Sequence, residues 1–491
     1  MMVTPKGTAD ATFTRAQTPE NVFQIVSTPV LLLALFLFFS HLQDHVPYLR
    51  LPLVLLTICL LTALVSGGLY RALVESRIGR CLTVFTLLLA VSIVFSVWKG
   101  GSFQLFTSVW LKSYAIFVIV AALLTTVAKL ARAIWFSVIG ISLTALSALF
   151  LGTIDEGRIS TEGGRFGDPN DLAQVLIIGT CLACALLCRK KMGWMGRSMI
   201  LLMISVMCLA GAKTGSRGGL IGGLVVAAVL FFQSSAAGKL RIMLACLVLA
   251  VFSIALLPTR ILSRYLAILG SDSAERELSS GESGSVEARK YLLTQSLYVT
   301  AQHPLTGAGM GMFMEAEDTL AKGAGIQHGS WHETHNMYTQ VSSEAGLPAL
   351  FFFIGALVYG FKNLNFVCRA AKRSRDPVIQ DAGTLAFWMR LALLGLVTTG
   401  FFLSVAYTPE PMVLLGMTAC LERAVRIKMA TAPVVAQVVA KEPAYARVAP
   451  APVALGRNAQ FSSRAVANRA SSEERAQPPA ISTARRSRRS S

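Results

Sequence analysis

Charge is what this chain has least of. Asp, Glu, Lys and Arg make up only 14% of its 491 residues, where soluble domains carry about 25%. With 54% hydrophobic residues and a mean hydropathy of +0.59, that scarcity excludes a soluble globular chain. Acids are rarer than bases, 26 against 45, leaving a net charge of +19. Nucleic acid is not the implied partner, because no aromatic side chains interleave with the terminal arginines Arg485, Arg486, Arg488 and Arg489. Histidine is scarcer still, with six in the chain and four of them between His303 and His335. None of the nine cysteines falls within 258–336, so that stretch holds no disulfide framework and no thiolate to complete a zinc tetrahedron. No A-x-A cleavage pattern follows the first apolar run, which is expected to stay attached as an anchor. The middles of the apolar runs lack paired acids and bases, which argues against a transporter or flippase.

What the chain does have is apolar runs long enough to cross a hydrocarbon core of about 30 Å. They predict about twelve spans: 22–41, 51–69, 81–98, 104–127, 133–152, 171–188, 197–212, 218–234, 240–257, 337–360, 384–404 and 409–425. The expected fold class is therefore all-α, a polytopic membrane protein with one long periplasmic loop. Its organisation reads as a cytoplasmic tail at 1–21, a membrane domain at 22–257, and the loop with amphipathic helices at 258–336. A second membrane domain follows at 337–428, then a disordered basic cytoplasmic tail at 429–491. Residues 430–491 hold ten Lys or Arg against three acids and too few apolar residues for a core. Such a tail suits the anionic headgroups of membrane lipids. Lys and Arg cluster in alternate loops, among them Arg71–Arg80, Arg189–Arg197 and Lys362–Arg375. By the positive-inside rule these loops are cytoplasmic, and 153–170, 212–218, 258–336 and 404–409 face outward.

Three outward segments break the apolar pattern. Gly163 to Asp171 contains Asp168-Pro169-Asn170, which signals a turn and a capped helix start. Arg165 beside it is a cation on the side where cations are rare. Lys213 to Leu220 surrounds Arg217 with small residues, so a ligand can approach the backbone closely, and Arg suits forked contact with phosphate. The same glycines also suit tight helix packing. The long loop opens on a helix from Val286 to about Ala301 carrying Arg289, stops at His303-Pro304, and turns through Gly307-Ala308-Gly309. It then reads His328-Gly-Ser-Trp-His332-Glu-Thr-His335-Asn336 before returning to the membrane. His328, His332 and His335 have the spacing of a zinc face on a helix, but Gly329-Ser330-Trp331 argues against a continuous helix there. No metal and no cofactor are expected.

Several cations and one imidazole thus meet on one membrane face, and the segments resemble the bacterial O-antigen ligase and polymerase superfamily. The resemblance rests on R-F-G-D-P-N-D-L-A at Arg165–Ala173, S-R-G-G at Ser216–Gly219, and H-P-L-T-G-A-G from His303 followed by His335, Asn336 and Gly346. It implies an inverting, metal-independent glycosyltransferase of the inner membrane whose active face is periplasmic. Its donor would be an undecaprenyl-diphosphate-linked glycan, and its acceptor lipid A-core or another glycan. In that resemblance Arg217 and Arg289, with Arg165, would bind the diphosphate and His335 would act on the acceptor hydroxyl. Asn336, Asn170, Glu344 and His303 would support them, Glu344 either by orienting His335 or by capping polarity near the interface. Asp168 departs from the neutral residue common in the family and weakens a phosphate role for its loop. A polymerase of O-antigen or exopolysaccharide repeats shares the donor chemistry and differs in acceptor.

Overall fold

The computed structural model describes residues 22–40, 42, 50–155, 157–190, 192–266, 280–323 and 325–441. The longer helices among the described residues are, in chain order, α1 Val22–Phe39, α2 Leu51–Val65, α3 Arg77–Val94, α4 Lys99–Leu123, α5 Val127–Phe150, α6 Pro169–Leu187, α7 Trp194–Lys213, α8 Arg217–Gln233, α9 Ala236–Leu256, α10 Thr259–Leu266, α11 Ser280–Gln302, α12 Phe313–Gly323 and α13 Met337–Arg373. They end with α14 Pro377–Thr399 and α15 Pro409–Lys441. Among the described residues the architecture is all-α apart from one hairpin, β1 Thr153–Asp155 paired antiparallel with β2 Arg158–Ser160. Seven helices among them are long and apolar enough to cross a membrane, or eight if the bent pair Leu51–Val65 and Gly68–Glu75 is one span. The protein is a multi-pass membrane protein. α1 and α8 are shorter apolar helices, and α15 carries Glu422 and Arg423 within its expected span of 409–425.

Residues 22–430 belong to one compact unit, in which α13 packs on α3 and α14, α14 on α6, and α6 on α5 and α7. A second unit begins at Thr431. Helix α15 continues to Lys441, into the stretch expected to be a disordered tail, while 442–491 lies outside the described residues. Helix starts follow their caps. Ser216 accepts the Gly219 amide at 3.1 Å, Asp376 that of Val378 at 2.7 Å, and Asp168 that of Asn170 at 2.5 Å ahead of Pro169. Glycine lets the helices close up. A Cβ on Gly222 would lie 2.5 Å from Thr399 Cγ2, so α8 meets α14 there without a side chain between.

The expected straight span 337–360 is instead a 37-residue helix broken at Gly346, whose φ of 84° and ψ of 173° are not helical. The break has a local cause and a long-range partner. Pro348 has no amide to give the Glu344 carbonyl, and Leu347 turns its own to Pro304 O at 2.8 Å. The two carbonyls so freed accept Ala308 N at 2.8 Å (Ser343) and Gly309 N at 2.9 Å (Glu344). A Cβ on Gly346 would sit 2.4 Å from Leu305 O, so only glycine lets this turn seat against the break. The His303–Gly309 motif is therefore the plug of a broken helix.

Candidate active site

Each polar segment is presented by a different element at one end of the bundle. The hairpin projects Arg158, whose Nε donates to Thr214 O at 2.9 Å and whose Nη2 donates to Asn170 Oδ1 at 3.0 Å. The same Asn170 oxygen accepts Ser216 Oγ at 2.8 Å. One amide thus ties the hairpin, the start of α6 and the cap of α8 together, which fixes Arg217 at the first position of α8. The short helix α10 is held by Tyr265, whose hydroxyl donates to Ala212 O at 2.9 Å, and it delivers the buried Arg264. Arg289 comes from α11, which buries Leu292, Ser296, Val299 and Thr300 along one face. That helix begins at Ser280, earlier than its expected start at Val286, and ends at Gln302 as the His303-Pro304 stop predicts.

These four arginines lie within each other's field. Burial lowers the pKa of Arg158, and Arg264 and Arg289 lower it further against an opposing pull from Asp168. Burial also lowers that of Arg289, with Arg217 and Arg264 adding to the effect and Asp168 again opposing it. Among the described residues, Arg217 and Arg289 make no hydrogen bond or ion pair with protein through their guanidinium groups. Half-buried cations held together cost Coulomb energy unless an anion joins them. The arrangement is built to receive an anion.

His335 stands beside this cluster. Its backbone is left-handed, with φ of 50°, and its amide donates to Ser404 Oγ at 2.9 Å. Burial lowers its pKa from the ordinary 6.5, Arg289 and His332 lower it further, and Asp168 raises it. The imidazole is consequently neutral at neutral pH and free to take a proton. The segment 328–336 is not helical, and among the described residues no three His, Cys, Asp or Glu side chains gather to hold a metal.

The other expected residues fall elsewhere. Arg165 forms a two-pronged ion pair with the buried Glu410 at 2.5 Å and lies over the Phe38 ring at 4.7 Å. Its fork is occupied by protein, so it braces the 163–171 loop to α15 instead of joining the four arginines. Asn336 caps α13 through the amides of Tyr338 at 2.9 Å and Thr339 at 3.2 Å. Glu344 is buried and accepts the Gly311 amide at 2.8 Å; its carboxylate meets Tyr407 and makes no hydrogen bond to His335. Of its two readings, orientation of His335 is excluded by that geometry, and it holds the glycine turn. The His303 side chain is exposed, and its carbonyl accepts the Gly307 amide at 2.9 Å to close the same turn.

A family model for O-antigen ligase matches residues 198–354. Over that stretch the chain is similar to that family's domain. The match takes in Arg217, Arg264, Arg289, His335 and the Gly346 break, and leaves out Arg158, Arg165 and Asn170. A comparison with curated proteins finds no match. Sequence reasoning missed Arg158 and Arg264. The signal was available, since both are cations in loops expected to face outward, but Asp155 and Glu156 mask Arg158 in the charge pattern and Arg264 belongs to no motif.

Proposed function

We propose that the protein is an inverting glycosyltransferase that moves an undecaprenyl-diphosphate-linked saccharide onto an acceptor glycan at the periplasmic face of the bacterial inner membrane. The observation that carries this reading is the meeting of four arginines beside one half-buried imidazole. Transfer requires that a diphosphate leave, and the charge growing on it needs fixed cations in a partly dry site. Arg217 and Arg289 grip that group, Arg264 adds charge from below, and Arg158 holds the Asn170 network that aims Arg217. The acceptor hydroxyl attacks the anomeric carbon as the bond to the diphosphate oxygen breaks. His335 takes the hydroxyl proton and the leaving group keeps the bonding electrons. A single displacement inverts the anomeric centre.

The direct test is transfer by purified protein from a polyprenyl-diphosphate-linked saccharide, with lipid A-core and a second lipid-linked repeat as alternative acceptors. The family description favours the ligase reaction; product on the lipid-linked repeat alone makes the protein a polymerase. Failure to transfer to either acceptor sinks the reading.

The pH profile carries a signed expectation. Because burial and Arg289 lower the His335 pKa, the acid limb of kcat/KM falls below pH 6.5, with activity lost as pH drops through it. Asp168→Asn removes the carboxylate that raises this pKa and moves the limb down. His332→Ala removes a group that lowers it and moves the limb up, toward 6.5. Shifts in the same direction, or none, remove His335 as the titrating group.

Twelve spans and an outward site are the topology this reading needs. The charge alternation supports it, with Lys/Arg-rich loops assigned to the cytoplasm. In a cysteine-free background, single cysteines at Asp155 and Lys290 should react with an impermeant thiol reagent in intact cells. Those at Lys190 and Arg373 should react only after permeabilisation. The reverse pattern inverts the orientation and rules out a periplasmic site.

A further inference from the structure

We propose that Glu317 is a positioning residue for this transfer, the strut that fixes the helix carrying Arg289 against the loop carrying His335. The inference rests on the function proposed above. Glu317 lies on α12 and is 0% exposed, yet it faces no cation in the described structure and makes no ion pair there. Three donors satisfy it instead. Tyr291 Oη donates to Oε1 at 2.8 Å, and Ser330 donates to Oε2 through its amide at 2.8 Å and its hydroxyl at 3.2 Å. Tyr291 sits two residues beyond Arg289 on α11, and Ser330 five residues before His335.

The neighbouring acid repeats the attachment. Asp318 accepts the Gly329 amide at 2.8 Å and pairs with Lys322 at 2.7 Å. The loop presses directly onto both acids, since a Cβ on Gly329 would lie 2.2 Å from Glu317 Oε2 and 2.8 Å from Asp318 Cα. The stretch from Ile326 to His335 has no helix or strand to hold it. It is pinned at one end by Glu317 and Asp318 and at the other by Ser404 on His335 N. The Glu317 carboxylate therefore joins the helix bearing Arg289 directly to the loop bearing His335.

The strut needs an acceptor on each side. One carboxylate oxygen accepts from Tyr291 and the other from Ser330, and a methionine side chain of similar length accepts from neither. Glu317→Met keeps the length and breaks both sides of the strut. A displacement of about 1 Å at a reacting group costs on the order of 10²-fold in rate. Donor binding by the arginines, anchored from α8, α10 and the hairpin, should persist.

The test uses the full-length purified protein in the transfer assay, with hydrogen exchange read in parallel. Glu317→Met is expected to lower kcat by about 10²-fold, leave the donor KM near the wild-type value, and speed amide exchange across 329–335. Wild-type kcat, or lost kcat with unchanged exchange at 329–335, overturns the proposal. Should Glu317→Met not yield a folded protein, Tyr291→Phe carries the test by cutting only the α11 side. It should lower kcat while Ser330 stays protected, and an unchanged kcat overturns the strut. His335→Asn in the same assay separates the two ideas. Retained activity there overturns the base assignment, whereas retained activity and protection in Glu317→Met overturns only the strut.

Discussion

Replacing His335 is expected to abolish transfer while donor binding survives, a loss of about 10²–10⁴-fold if general-base catalysis is what the imidazole supplies. The choice of replacement matters. His335 holds a left-handed backbone with φ of 50°, a conformation in which alanine is strained and asparagine is several-fold enriched. His335→Asn keeps that backbone, and with it the amide bond to Ser404, but offers no base. Equal losses in His335→Ala and His335→Asn assign the effect to the imidazole and not to the turn. His328→Ala and His332→Ala should cost far less, since both side chains are exposed. EDTA should leave transfer unchanged. Full activity in His335→Asn, or activity lost with EDTA and restored by zinc, removes the base and revives metal-assisted chemistry.

Arg217→Lys should be nearly as damaging, although it preserves the charge. A guanidinium fork grips two oxygens of one phosphate in a fixed plane, and an ammonium offers a point charge on a flexible stem. Losing one preorganised donor to a developing oxyanion costs about 10²–10³-fold in rate. Arg217 makes no hydrogen bond or ion pair with protein among the described residues, so the variant should insert and fold as the wild type does. Arg289→Ala should match it. Arg165→Lys should differ in kind, because Arg165 is paired with Glu410, and its loss should appear as lower stability before it appears as lower kcat. Wild-type glycan length and amount from Arg217→Lys is incompatible with a bidentate contact.

The membrane character and the helix boundaries at Pro169, Arg217 and Met337 were legible from residues alone. Spans depend on hydrophobic length, and caps depend on side chains one or two positions away, so both are local. Arg217, Arg289 and His335 were legible too, as polar groups where cations or imidazoles are unexpected. Arg165 shows the limit of that signal: an outward cation in a motif looks the same whether its fork faces a ligand or a carboxylate 245 residues later in the chain. Glu344 shows it again, since spacing along a helix does not say whether an acid meets His335 or the Gly311 amide.

By itself the sequence determined that the chain lives in a membrane and where several of its helices start. Those follow from apolar run length and capping side chains, properties that each stretch carries wherever it packs. Only the tertiary structure decided which cations converge. Arg158, Arg217, Arg264 and Arg289 come from a hairpin, a helix start, the last turn of a short helix and a loop helix, spread over more than a hundred residues and joined through Asn170, Tyr265 and Glu317. The physical reason is that a field felt by one guanidinium depends on distance and burial, and neither is written in the order of residues.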